Sequence, residues 1–136
     1  MYNYFTEDEL KCQHCGSKGM DKDFMDKIEN LRYDLGFPFK VNSAYRCKDH
    51  PIEARKKSPG AHESGHALDI GVSGEQAHRL LHAALEAGMR GIGVNQKGNS
   101  RFIHLDDLKR ADNRPRPWIW SYENGNNRKC FRGVGR

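Results

Sequence analysis

The run from Gly60 to Ile70 carries His62, Glu63, His66 and Asp69 and passes without a break into the apolar stretch Ala67-Leu68-Asp69-Ile70-Gly71-Val72. Two backbone conformations compete for it. As His62-Glu63-x-x-His66 it matches the zincin pattern, a helix that shows two histidines on one face with a glutamate between them as general base. Pro59 and Gly60 precede the pattern, Ser64 and Gly65 interrupt it, and a strand-like segment follows at once. A glycine inside a helix costs about 1 kcal/mol, and this segment has no further turns to offset it. The sequence therefore predicts a loop histidine, His62, followed by a central strand that carries Asp69. An imidazole nitrogen and a carboxylate oxygen are two zinc ligands, and a catalytic zinc takes three protein ligands while keeping one position open. His104 is the natural third. It lies in Phe102-Ile103-His104-Leu105-Asp106, where the two-residue strand period puts Phe102, His104 and Asp106 on one face and Ile103 and Leu105 on the other.

The remaining elements follow from period and capping. Thr6 with Glu9 has capping-box spacing, which predicts a short helix from Glu7. Phe24, Ile28, Leu31 and Leu35 recur at helical intervals ahead of Gly36, giving a helix over 21–35. Phe39 and Val41 read as a strand that runs into a polar, basic loop ending at Pro59-Gly60. Ser73 and Gln76 have the spacing of a second capping box, and Ala77, Leu80, Leu81, Ala84 and Leu85 form an amphipathic face over 74–87. Ile92-Gly93-Val94 and Phe102–Leu105 flank the turn-rich residues 95–100 and are expected to pair antiparallel. Trp118-Ile119-Trp120, close behind Pro115 and Pro117, reads as an edge strand. Segregated helices and strands in this order predict an α+β fold, a small antiparallel sheet with helices packed on it.

A chain of 136 residues is one domain's worth of sequence, and no apolar run approaches the roughly 20 residues that cross a bilayer. The N-terminus is acidic and polar, so no classical secretory leader is expected. The net charge of +5 points to an anionic polymer as partner: nucleic acid, a lipid surface or cell-wall material. The basic residues gather at Arg55, Lys56 and Lys57 and again from Lys109 to Arg136, including Arg110, Arg114, Arg116, Arg128, Lys129 and Arg132, which as a solvated tail would have no further role. Cys12 and Cys15 form a CxxC, while Cys47 and Cys130 stand alone. Disulfides, free thiols and a structural zinc ion are all compatible with these spacings; for zinc, Cys47 and Cys130, or His14 and His50, would complete the set. No βαβ pattern surrounds the CxxC to support a thioredoxin-like redox site.

Three blocks, Ser43-Ala44-Tyr45-Arg46-Cys47, His62-x-x-Gly65-x-Ala67-x-Asp69-Ile70, and Gly91-Ile92-Gly93-Val94 leading to Phe102–Asp106, resemble the zinc D-alanyl-D-alanine carboxypeptidases and their peptidoglycan endopeptidase relatives. That family shares a core with the hedgehog signalling domain and lysostaphin-type enzymes, and the phage-type lytic branch is the one most similar to this chain. The resemblance covers about residues 21–120. It implies a Zn²⁺ ion bound by His62, Asp69 and His104, with Arg46 facing it to hold a substrate carboxylate or an oxyanion, and water activated on the metal as nucleophile. It further implies a monomer made in the cytoplasm that acts on the peptide part of the wall, with no nucleic-acid partner and no membrane insertion. Many relatives carry an acidic base three residues before the last histidine, where this chain has Arg101, which cannot accept a proton. Asp106 is the candidate for that base or for a group orienting a ligand, with Glu63 in reserve. His66 is expected beside the site, His78 and His82 on a solvated helix face, and Tyr45, Trp118 and Trp120 in the core or the cleft wall. Two other functions stay open at this point: a basic, zinc-stabilised nucleic-acid-binding module, and a peptidase-like domain that has lost catalysis and serves as a wall-binding part.

Overall fold

Asp21 and Gly36 bracket the first long helix by opposite devices. The Asp21 carboxylate accepts the Phe24 N–H at 2.9 Å, and Gly36 ends the helix at φ 78°, a conformation that costs glycine little. The computed structural model describes residues 2–54 and 60–122. Arg55 to Lys57 and the basic residues beyond Tyr122, with Cys130, lie outside the described residues.

The elements are α1 (Glu7–Leu10), α2 (Lys22–Leu35), β1 (Lys40–Ser43), α3 (Pro51–Ala54), a 3₁₀ turn (His62–Ser64), β2 (Ala67–Gly71), α4 (Gly74–Glu86), β3 (Gly91–Asn95), β4 (Phe102–Asp106) and β5 (Trp118–Ser121). The fold is α+β. Its five-stranded sheet has the order β1-β2-β4-β3-β5 and is antiparallel except for β5, which runs parallel to β3. The Thr6/Glu9 capping box forms as expected. The second one does not: Ser73 stands at the N-cap of α4 without a side-chain hydrogen bond, because Gly74 enters the helix at φ 60° and turns the first N–H groups away from a standard cap. The loop before Gly60 also holds the short helix α3, which has too few residues to show a period.

The two faces of the sheet have different work. Leu68 and Ile70 of β2, Ile103 and Leu105 of β4 and Ile92 of β3 point one way and join Phe24, Ile28, Leu31, Leu80 and Ala84 of α2 and α4 in the main core. Each such side chain, fully buried, stabilises the fold by roughly 1.5–3 kcal/mol. Phe5 and Leu10 belong to the same core, so the packed body starts well before residue 21. The opposite face carries the polar groups. Register aligns Ser43, Asp69, His104, Gly93 and Trp120 in one row across all five strands. Among the described residues no helix is long and apolar enough to cross a membrane.

Candidate active site

His62 opens the 3₁₀ turn that Gly65 ends at φ 80°. Glycine is required at 65 twice over, since a Cβ there would also strike the Gly19 carbonyl. The turn separates the two histidines of the zincin pattern. His62 points inward, whereas His66 bonds Asp107 through Nδ1 at 2.8 Å and lies 3.7 Å from Asp21 through Nε2. Strand pairing then sets Asp69 opposite His104.

His62 donates its Nδ1–H to the Ala44 carbonyl at 2.8 Å, which leaves Nε2 directed at Asp69 Oδ1, 3.2 Å away. His104 donates Nε2–H to Asp106 Oδ2 at 2.8 Å and turns Nδ1 to the same Asp69 oxygen at 2.9 Å. All three residues are buried, and their ligand atoms lie within 4.8 Å of one another. Two imidazole nitrogens and one carboxylate oxygen form a donor set suited to zinc. Each imidazole has its remaining nitrogen committed to a carbonyl or carboxylate, the arrangement that fixes tautomer and orientation in metal-binding histidines.

The electrostatics follow from burial and pairing. Burial by itself would raise the Asp69 carboxyl, but the adjoining His62 and His104 imidazoles outweigh it and hold the group below the usual carboxylate range. Burial would lower His104, yet the hydrogen bonds to Asp106 and Asp69 leave it raised. Asp106 is fully buried, and the bonds from His104 and Arg116 keep it ionised against that burial. Its Oδ1 accepts from Arg116 Nε at 3.0 Å and the Leu108 N–H at 3.3 Å, and its Oδ2 accepts from Arg116 Nη2 and His104 at 2.8 Å each. Both oxygens are thus engaged, and of the two only Oδ2 meets the His104 ring.

A cleft of about 630 Å³ opens onto Asp69, with Asn42, Tyr45, Arg46, His50 and Phe102 in its walls. The Arg46 backbone N–H donates to the His62 carbonyl at 3.2 Å, and its guanidinium is 3.4 Å from the buried carboxylate of Glu53. Glu53 also accepts the Gly60 N–H, so it links α3 to the start of the His62 turn. Arg101 is exposed and donates to the Gly98 carbonyl at 3.1 Å. His82 pairs with Glu86 on an exposed face of α4.

Some members of the site were hidden in the sequence. Arg116 reads there as part of a basic tail, but it is buried, grips Asp106 with two parallel bonds and lies 5.2 Å from the Trp120 ring. Trp120 in turn packs 5.1 Å from the His104 ring. Gly93 leaves room for the Trp120 indole and the Tyr122 hydroxyl, and Gly91 leaves room for the Asp106 carboxylate. The Tyr122 phenol is pushed up by burial, with the Asp69 charge adding to the effect, so it stays a hydrogen-bond donor at neutral pH. The doubled Gly-x-Gly on a strand was the available signal, because a strand gives up glycine's entropy only where something must come close.

The α+β fold carries a buried His, Asp and His set on the polar face of its sheet, each imidazole held from behind and the carboxylate open to a cleft, a donor set that could hold a metal ion. The family model described as Peptidase M15 matches residues 3–106, and the chain belongs to that family, whose members are zinc-dependent peptidases. No curated protein matches the chain.

Proposed function

We propose that the protein is a zinc peptidase that hydrolyses peptide stems or cross-links of bacterial peptidoglycan, in the manner of a phage-type lytic endopeptidase. The observation that supports it best is the His62, Asp69 and His104 cluster, whose Asp69 lines the same cleft as Arg46, in a chain of the Peptidase M15 family. His62 Nε2, Asp69 and His104 Nδ1 would hold the zinc ion, which when bound polarises a scissile carbonyl and lowers the pKa of water to near 7.

The chain's own residues do the rest. Ala44 and Asp106 hold the two imidazoles in their metal-binding tautomers, and Arg116 keeps Asp106 ionised and fixed. Arg46 presents donors to a substrate carboxylate or an oxyanion, steadied from behind by Glu53. Asp106 serves in this reading as an orienting carboxylate and not as the base, since its oxygens already accept four hydrogen bonds. Glu9, also on the cleft wall, is committed to the cap of α1. Proton transfer is assigned in this reading to Glu63, the carboxylate that follows His62 in the turn. The protein acts as a monomer on the wall, and its +5 charge draws it to that anionic polymer without a nucleic-acid partner or membrane insertion.

The test is mass spectrometry of fragments released from defined peptidoglycans by the zinc-loaded protein, the chelated protein and the protein with zinc restored. Release of stem or cross-link peptides, lost on chelation and regained with zinc, is expected; the masses assign the bond. Undiminished release by fully metal-free protein would refute the zinc mechanism. Zinc-loaded protein that leaves every wall type intact while binding DNA in a salt-sensitive way would favour the nucleic-acid module.

A further inference from the structure

Residues 11–20 contain no helix or strand, yet they hold Cys12, which is completely buried. The Cys12 N–H donates to the Ser17 carbonyl at 2.9 Å, and the Gly16 N–H returns to the Cys12 carbonyl at 2.7 Å. Gly16 lies at φ 77°, which lets the chain reverse directly after Cys15. The result is a tight knuckle with Cys12 and Cys15 at its two corners.

Cys47 comes to this knuckle from the segment after β1. Its N–H donates to Cys12 Sγ at 3.3 Å, which ties the two segments together at the sulfur. The sulfurs of Cys12, Cys15 and Cys47 lie within 4.8 Å of one another, and His14 Nδ1 is 3.9 Å from Cys47 Sγ. Tetrahedral zinc with bonds of about 2.3 Å to sulfur and 2.0 Å to nitrogen separates its ligand atoms by about 3.5–3.8 Å. The three sulfurs stand within about an ångström of that spacing, and His14 approaches them from the side of Cys47. Three thiolates and an imidazole form a soft donor group that selects zinc over magnesium or calcium.

We propose that Cys12, Cys15, Cys47 and His14 form a second metal centre, a structural zinc site that clamps the N-terminal knuckle to the segment carrying Arg46. This site stands independently of the peptidase reading. Its consequence for the cleft comes from the chain order Ala44-Tyr45-Arg46-Cys47. Ala44 orients His62, the Tyr45 N–H donates to the Leu10 carbonyl at 3.4 Å, and Tyr45 packs against Gly19. An ion on Cys47 would anchor the far end of this segment and so fix the backbone that positions Arg46. A disulfide could join only two of the three cysteines and would leave the third, with His14, unused.

The experiment is metal analysis of the full chain, purified reduced, with cobalt exchange as the spectroscopic probe. The wild-type protein should carry two zinc equivalents and, with cobalt, show strong thiolate-to-metal charge-transfer absorption. Cys15→Ser and His14→Ala should each lose one equivalent on dialysis, whereas Cys130→Ser should keep both. A protein carrying His62→Ala and Asp69→Ala should keep one equivalent with the thiolate absorption intact, which separates failure of this site from failure of the active site. If Cys15→Ser does not fold, protection of Cys12 and Cys47 from maleimide by zinc in the wild-type chain decides the matter. The proposal is overturned if the reduced wild-type protein binds a single equivalent without thiolate absorption, or if Cys15→Ser keeps two. A disulfide among Cys12, Cys15 and Cys47, or loss of the second equivalent in Cys130→Ser, overturns it as well.

Discussion

Replacing Arg116 with alanine removes the guanidinium that grips Asp106 while leaving that carboxylate buried. The side chain of Asp106 is 0% exposed and that of Arg116 only 5%, so the pair is shielded from solvent. What stays on Asp106 is the His104 N–H at 2.8 Å and the longer Leu108 N–H at 3.3 Å. Stripping one partner from a buried ion pair costs about 3–5 kcal/mol, since the remaining charge is uncompensated. For a domain of this length, each kcal/mol moves the melting temperature by roughly 3–4 °C, so a fall of about 10–20 °C is expected. Asp106 would then either take up a proton or turn toward solvent, and each course frees the His104 ring. Loss of such an orienting group lowers metal affinity about 10- to 100-fold. Arg116→Lys keeps the charge without the paired donors and should fall between the two. Denaturant unfolding of wild-type and variant proteins, with zinc titration against a competing chelator, measures both effects. If Arg116→Ala lost less than about 1 kcal/mol and bound zinc as tightly as the wild type, the carboxylate would not need its partner, and the account of how His104 is held would be wrong.

Two further substitutions test separate parts of the site. Gly91→Ala places a methyl group against the Asp106 carboxylate, which four donors hold in place; overpacking of this kind costs about 1–3 kcal/mol, and thermal unfolding together with zinc titration should show lowered stability and weaker metal binding. Arg46→Ala should reduce kcat on a peptide substrate about 10²- to 10³-fold, the usual cost of removing an oxyanion donor, with the zinc content of the His62 site unchanged; equal kcat would remove Arg46 from the mechanism.

How much of this was legible depended on whether a residue's role is local. Phe102, His104 and Asp106 fall on one face because a strand alternates, and that can be read from the sequence. The hairpin of β3 and β4 and the cap of α2 at Asp21 rest on local chemistry in the same way. Register does not, because nothing near Asp69 specifies that it pairs with His104 and not with a residue two positions away. Arg116 was opaque for a related reason. Its neighbours are basic and proline-rich, so its charge reads as solvated, and only the path of the chain into β5 carries it behind Asp106. The orienting group for His62 is a backbone carbonyl, Ala44, which leaves no mark in a sequence. The C-terminal basic residues past Tyr122 and Cys130 lie outside the described residues, so their expected roles rest on the sequence alone.

The charges gathered on the polar face of the sheet also bear on what the cleft binds. When the two imidazoles serve as neutral ligands, Asp69 and Asp106 contribute two negative charges and Arg116 one positive, a buried balance of minus one. A dication reverses that sign, and Arg46 adds a second positive centre at the cleft wall, only partly offset by Glu53 at 3.4 Å. A buried excess of positive charge is costly unless an anion arrives to neutralise it. The loaded site would therefore favour a ligand that brings negative charge into the cleft, either a carboxylate already present on the substrate or the oxyanion that forms as an amide is attacked.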